Sequence, residues 1–338
     1  MKVYEVGGCV RDELMGVKPM DRDWVVVNSS PAEMEHKGFK PIGKDFPVFL
    51  HPVTKEEYAL ARTEKKSGTG YKDFTFYFDK NVTLEEDLQR RDLTINAMAK
   101  DSNGEIIDPF GGMKDIQQQI FRHTSPAFAE DPLRALRLAR LKSYPHLSKF
   151  STAIETTKLI QDIVMSDELS ALSADRVWME VSKALANKDS KNFFESLLEH
   201  RLLTPWFIGL ASVSQDGASP EYKWAEMQRV NNFELCQKLP IPNNFKKVAG
   251  LLQSIMELVE CTEFDDKLKM VESLNFSRNH HELEILFKFS ILQTHSQNLN
   301  LIKDAVLKID FAQLANIPGH AVSERKKFLY HEALKSII

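Results

Sequence analysis

Gly7-Gly8-Cys9-Val10-Arg11-Asp12, followed by Asp21-Arg22-Asp23 and the apolar run Trp24-Val25-Val26-Val27, decides how this chain is read. The glycine pair stands between a strand-like run, Val3–Val6, and a helical pattern, Val10–Met15. Glycine at such a junction lets backbone N–H groups approach an anion closely, and a helix N-terminus favours negative charge. Arg11 sits one turn in, placed to reach a triphosphate. Asp21 and Asp23 lie two apart at the start of an apolar strand, so period-two alternation puts both on one sheet face. Two hard carboxylates on a rigid strand, with positions open for phosphate oxygens and water, suit Mg²⁺. The plainer alternatives are a tight turn with Arg11 solvated and a strand-initiating turn with solvated aspartates. Together the two segments point to chemistry on a nucleotide.

Outward from this stretch, the character of the chain changes near residue 125. Before it, strand-like runs dominate: Val3–Val6, Trp24–Asn28, Val48–His51, Tyr58–Ala61, Phe74–Phe78 and Ile106–Asp108, interrupted by helical patterns at Val10–Met15 and Thr83–Lys100. After it, helical periodicity takes over, at Leu133–Leu141, Ser151–Asp162, Ala174–Ala186, Lys191–Glu199, Asn244–Leu258 and His281–Leu292. The pattern predicts an α+β N-terminal head, a mixed β-sheet with flanking helices, followed by an all-helical neck, body and tail. With 338 residues, 43% of them hydrophobic, the chain can bury more than one core. The expected division is a head at 1–125, a helical neck at 126–205 and a helical body and tail at 206–338.

The formal charge of −4 excludes binding of nucleic acid through bulk positive charge; any such contact needs a local basic patch. Cys9, Cys236 and Cys261 are far apart and odd in number, with neither metal-ligand spacing nor a disulfide framework, so a reducing compartment is expected. No signal-peptide pattern precedes Val3, and no apolar run reaches the length of a membrane span. The expectation is a soluble, cytoplasmic chain without a membrane partner, a monomer or weak homo-oligomer.

Further motifs follow in order: Leu88-Gln89-Arg90-Arg91-Asp92-Leu93-Thr94-Ile95-Asn96-Ala97, then Asp108-Pro109-Phe110-Gly111-Gly112, then Glu130-Asp131-Pro132-Leu133-Arg134. With the opening stretch, these make the chain resemble the class II tRNA nucleotidyltransferases (CCA-adding enzymes) of the polymerase-β nucleotidyltransferase superfamily, and especially the γ-proteobacterial type. The resemblance runs almost without gaps over residues 1–142 and weakly on to about residue 205. It implies template-independent addition of CCA to tRNA 3′ ends from CTP and ATP, with release of pyrophosphate and dependence on Mg²⁺. It implies metal binding at Asp21 and Asp23, and nucleotide binding at Gly7, Gly8, Arg11 and Arg91. It gives Asp92 the ribose 2′-hydroxyl.

Asp131 and Arg134 lie at i, i+3 on one helix face. Cytosine and adenine both present an exocyclic amine donor beside a ring-nitrogen acceptor, whereas uracil and guanine present a carbonyl beside an N–H. A carboxylate that accepts from the amine and a guanidinium that donates to the ring nitrogen therefore admit C and A, and mismatch U and G. The resemblance makes this pair the amino-acid template. Asp131-Pro132 also reads as a helix N-cap followed by proline, a competing use of the same carboxylate. Arg137 and Arg140 continue the spacing toward base, triphosphate or RNA backbone; the alternative is solvated arginines. Glu57, with Glu56 as runner-up, is the candidate third carboxylate on a neighbouring strand. The Gly/Ser/Lys loop Lys65–Tyr71 is the candidate mobile element, which the resemblance implicates in the switch from C to A addition.

Many γ-proteobacterial relatives carry a C-terminal HD phosphohydrolase domain. This chain contains no His-Asp dipeptide, so synthesis without phosphatase or phosphodiesterase activity is expected. Alternatives that share the chemistry are a CC-only or A-only tRNA nucleotidyltransferase and a poly(A) polymerase. A non-catalytic RNA-binding module is a further alternative; it predicts loss of Asp21 or Asp23, and both are present.

Overall fold

Val25 and Val26, neighbours on one strand, enter two different cores. Val25 packs with Val6, Val82, Leu88 and Ala97, and Val26 with Met34, Phe39, Phe49 and Leu60. Alternation along a strand sends successive side chains to opposite faces, so this sheet is covered on both sides. The computed structural model describes residues 1–42, 48–66, 74–77, 79–315 and 317–338. Among them the chain forms two compact units, Met1–Ile208 and Gly209–Ile338.

The first unit is built on a seven-stranded mixed sheet of order β3-β4-β5-β2-β1-β8-β9, made of β1 (Lys2–Val6), β2 (Asp23–Val27), β3 (Lys40–Ile42), β4 (Val48–Leu50), β5 (Glu57–Leu60), β8 (Ala99–Lys100) and β9 (Ile106–Ile107). Strands β6 (Thr63–Lys66) and β7 (Phe74–Tyr77) form a separate antiparallel ribbon. All neighbours in the large sheet run antiparallel except β2 and β5, which are parallel with Asp23 opposite Glu57. Helix α1 (Gly8–Leu14) follows β1, α2 (Pro31–His36) follows β2, and α3 (Leu84–Gln89) and α4 (Gly112–Gln118) come later. The expected strand end at Phe78 and residues 67–71 of the Lys65–Tyr71 loop lie outside the described residues.

The helix expected over Thr83–Lys100 is broken. It starts on a capping box, with Thr83 Oγ1 accepting from the Glu86 amide and Glu86 Oε2 from the Thr83 amide. It stops at Gln89 because the next backbone groups pair elsewhere. The Leu93 amide donates to the Asp92 side chain, the Thr94 amide to Arg122 O, and the Thr124 amide to Asp92 O. A short 3-10 turn, Thr94–Asn96, then returns the chain to β8.

Helices α5 (Leu133–Leu141), α7 (Ala174–Ala186) and α8 (Lys191–Glu199) form where helical periodicity predicts them, with α5 packed on the other two. Between them, α6 (Ile154–Met165) begins three residues later than its pattern because Ser151 and Thr152 pair with Ile120 and Phe121. The second unit is helical: α9 (Pro220–Val230), α10 (Asn243–Glu260), α11 (Phe264–Leu274), α12 (His280–Leu286), α13 (Ser296–Leu307) and α14 (Gly319–Leu334). On α10 the buried residues Phe245, Val248, Leu252 and Ile255 form one stripe at helical spacing. Full burial of side chains of this kind contributes about 1.5–3 kcal/mol each. No helix among the described residues is long and apolar enough to cross a membrane.

Candidate active site

One cavity of about 640 Å³ in the first unit gathers the chemistry-bearing residues of the sequence. Asp21, Asp23, Glu57, Gly7, Gly8, Arg11, Arg91, Asp92, Asp131, Arg134, Arg137 and Arg140 all line it. Its size suits a small ligand of nucleotide dimensions, and the excess of arginine over carboxylate on its walls favours an anion.

The acidic edge follows from sheet register. Asp23 opens β2, and the parallel pairing places Glu57 directly beside it on β5. Asp21 lies in the bend just before β2, and all three carboxylates are exposed. Glu56, the runner-up, instead accepts from the Thr54 hydroxyl. No cluster of three or more His, Cys, Asp and Glu ready to hold a metal is found among the described residues. Hard oxygen donors that leave most of the shell to phosphate and water match a small divalent cation, which is seldom caged by protein alone.

Gly7 closes β1 with φ 84° and ψ −140°, backbone that side chains with a Cβ rarely adopt. A Cβ there would also lie 3.0 Å from Arg91 Nη1 and 3.9 Å from Asp23 Oδ2, so the bare backbone brings arginine and carboxylate together. Arg11 does not point freely into the cavity. Its Nη1 donates to Asn96 Oδ1 at 2.6 Å and its Nε to Asp12 Oδ1 at 2.8 Å, and His146 Nε2 lies 3.1 Å from the same oxygen. Arg91 is anchored to the fully buried Asp87, which also holds Arg90.

Asp92 is buried and densely held. Oδ1 accepts from the Leu93 amide at 2.9 Å and from Asn96 Nδ2 at 3.1 Å; Oδ2 accepts from Arg137 Nε at 2.8 Å. Burial pushes this carboxyl up, but the Arg137 charge and the Asn96 amide outweigh it and hold the group well below the usual carboxylate range. The Asp108–Gly112 motif works behind this loop. Asp108 caps α4 by accepting from the amides of Gly112 and Met113, and Asp115 on α4 accepts from Thr94 Oγ1 at 2.6 Å.

Asp131 satisfies the capping reading and does more. Oδ1 accepts from the Leu133 amide at 3.2 Å, and Oδ2 accepts from Arg176 Nη2 at 2.8 Å. A carboxylate has about four lone-pair sites, so a cap and an ion pair leave it able to accept again. Arg134 gives one N–H to Ala127 O at 2.8 Å. Arg140 turns to Glu180, with Nε 2.5 Å from Oε2, and to the Tyr144 hydroxyl. Asn96, Arg176, Glu180 and Tyr144 are the site-building residues that sequence reasoning missed. The only trace of α7's role is the Arg176–Glu180 spacing of i, i+4, on a helix whose pattern otherwise reads as ordinary amphipathic packing.

Comparison with known proteins adds a lineage to this geometry. Residues 3–122 match the family model of the poly A polymerase head domain, and residues 149–213 that of the probable RNA and SrmB-binding site of polymerase A. The CCA-adding enzyme of Coxiella burnetii is 39% identical to the chain over all of its length and over 96% of the relative's. The chain belongs to the class II CCA-adding enzyme family. Nucleotidyl transfer in this family is typically metal-dependent. A multifunctional CCA protein of Alcanivorax borkumensis is 52% identical over 70% of this chain, but the match spans only 58% of that relative. The Bacillus stearothermophilus CCA-adding enzyme in complex with CTP shares the fold with a TM-score of 0.64 at 22% identity, over 99% of this chain and 89% of its own.

Proposed function

We propose that this chain adds C, C and A to tRNA 3′ ends, using CTP and ATP and releasing pyrophosphate. The observation that carries the reading is the convergence in one cavity of the Asp23–Glu57 register pair, the Gly7–Gly8 turn and the Asp131, Arg134 and Arg176 group. The RNA 3′-hydroxyl attacks the α-phosphorus and gives up its proton to solvent, and the new O–P bond forms as the bond to pyrophosphate breaks. Asp21 and Asp23, with Glu57 as third carboxylate, are the residues suited to hold Mg²⁺. When bound, the metal neutralises phosphate charge as a Lewis acid.

The chain's own residues do the rest. The Gly7–Gly8 turn and Arg91 hold the triphosphate, and Arg11 fixes the turn. Asp92 accepts from the ribose 2′-hydroxyl. Asp131 accepts from the exocyclic amine of cytosine or adenine while Arg134 donates to the ring nitrogen, and Arg176 keeps Asp131 oriented. Arg140, committed to Glu180 and Tyr144, positions α5 against α7. The head at 1–125 and neck at 126–205 contain these parts, and the helical remainder, 206–338, is assigned to tRNA. The reading places the chain in the cytoplasm, where tRNA is matured.

Transcripts ending before, within and one residue short of CCA, each offered CTP, ATP or both, test this directly. Two C additions and one A addition, then a stop, are expected. A stop after CC, use of ATP alone, or a long A tail on any RNA would replace the reading with one of its relatives in chemistry.

A further inference from the structure

Between the glycine turn and α5 runs a chain of side-chain hydrogen bonds with one amide at its centre. Asn96 Oδ1 accepts from Arg11 Nη1 at 2.6 Å, and its Nδ2 donates to Asp92 Oδ1 at 3.1 Å. Asp92 Oδ2 in turn accepts from Arg137 on α5. The amide orientation follows from its partners: reversed, it would set NH₂ against a guanidinium and oxygen against a carboxylate. Only a side chain with one donor and one acceptor fits between a cation and an anion here. Asn96 is itself buried, on the 3-10 turn that α4 clamps from behind.

The two oxygens of Asp92 are unequal. Oδ1 already accepts from the Leu93 amide and from Asn96, which fills both lone pairs. Oδ2 accepts from Arg137 and retains one. We propose that Asn96 is a positioning residue for sugar selection: it fixes the Asp92 carboxylate so that Oδ2 alone faces the ribose, and ties that carboxylate to the Arg11-braced glycine turn. The inference rests on the reading of Asp92 as the 2′-hydroxyl acceptor.

The test compares affinity and turnover for CTP and 2′-deoxy-CTP in the full chain, in Asn96→Ala, in Asn96→Asp and in Asp92→Asn. Asn96→Ala should lose about tenfold of the preference for CTP, the scale of one hydrogen bond to a charged group, mainly through a higher KM for CTP. Asn96→Asp keeps the size and the Arg11 contact but sets a carboxylate against Asp92, so it should lose at least as much. It carries the comparison if the alanine variant does not fold. Equal losses for both nucleotides would mean a merely structural role and overturn the proposal. So would an unchanged preference in the Asn96 variants while Asp92→Asn loses it. If Asp92→Asn itself keeps the preference, the ribose reading falls, and the proposal with it.

Discussion

Replacing Gly112 by alanine tests how firmly the loop bearing Asp92 is held from behind. An added Cβ would lie 2.3 Å from the Thr94 carbonyl oxygen and 2.9 Å from Met98 Sδ. Met98 can rotate away, but the carbonyl is backbone. Ordinary contact is restored only when α4 or the 3-10 turn moves by about 1 Å. Neither is loose, because Asp108 holds the Gly112 amide at 2.7 Å and Asp115 holds Thr94 at 2.6 Å. Overpacking of this kind costs about 1–3 kcal/mol, and a backbone collision belongs at the upper end. For a unit of this size, about 3 kcal/mol lowers Tm by about 6–12 °C. Displacing the Asp92 loop by about 1 Å should also cost on the order of a hundredfold in kcat/KM for CTP. Gly111→Ala is the control: it has φ 77° but no atom within 4 Å of its added Cβ, so it should show only the backbone cost of about 1–2 kcal/mol. A Gly112→Ala protein that melts within about 1 °C of wild type and keeps its kcat/KM would refute the clamp.

Other perturbations probe the remaining contacts. Arg176→Met removes the 2.8 Å partner of Asp131 and should relax CTP-over-UTP discrimination about tenfold in single-addition assays, with CTP turnover less affected; unchanged discrimination would make Arg176 irrelevant to base choice. Glu180→Gln takes the counter-charge from Arg140, whose side chain is only 10% exposed, and should destabilise the protein by about 3 kcal/mol in urea unfolding; an unaffected midpoint would free Arg140 from its structural role. The Asp92 carboxyl is depressed in the folded state, so its stabilisation is complete above the unfolded value of about 3.9 and is lost as pH falls through the lower folded value. Asp92→Asn should therefore flatten the acid limb of stability between about pH 4 and pH 2, and an unchanged slope would contradict the ion pair.

What the sequence made legible was local. The bounds of α5, α7 and α8 follow from 3.6-residue periodicity, and the placement of Asp23 at the start of β2 follows from the apolar run behind it, although Asp21 lies in the bend before the strand rather than on its face. What it hid was relational. Glu57 is nameable in advance as a carboxylate on a neighbouring strand, but its place directly opposite Asp23 comes only from the parallel β2–β5 register, a long-range pairing with no local signature. The helical pattern over Thr83–Lys100 continues past Gln89, but backbone pairing with Arg122 and Asp92 overrides it. Helices α2 and α4, of six and seven residues, span two turns or fewer and carry only a weak periodic signal. Arg176 and Glu180 read as surface charges on an amphipathic helix until α7 packs on α5 and turns them toward Asp131 and Arg140.

The central claim is that side chains on α5 and just before it, rather than a nucleic-acid template, choose the incoming base. Single-nucleotide incorporation onto a tRNA transcript lacking CCA, with CTP and UTP compared in wild type and in folded Asp131→Ala, measures it most directly. The account predicts strong preference for CTP in wild type and a collapse of that preference in the variant, by about a hundredfold or more, because the mismatched carboxylate that repels the uracil carbonyl is gone. An Asp131→Ala enzyme that still favours CTP over UTP by the wild-type ratio would contradict the template and leave Asp131 as a helix cap paired with Arg176.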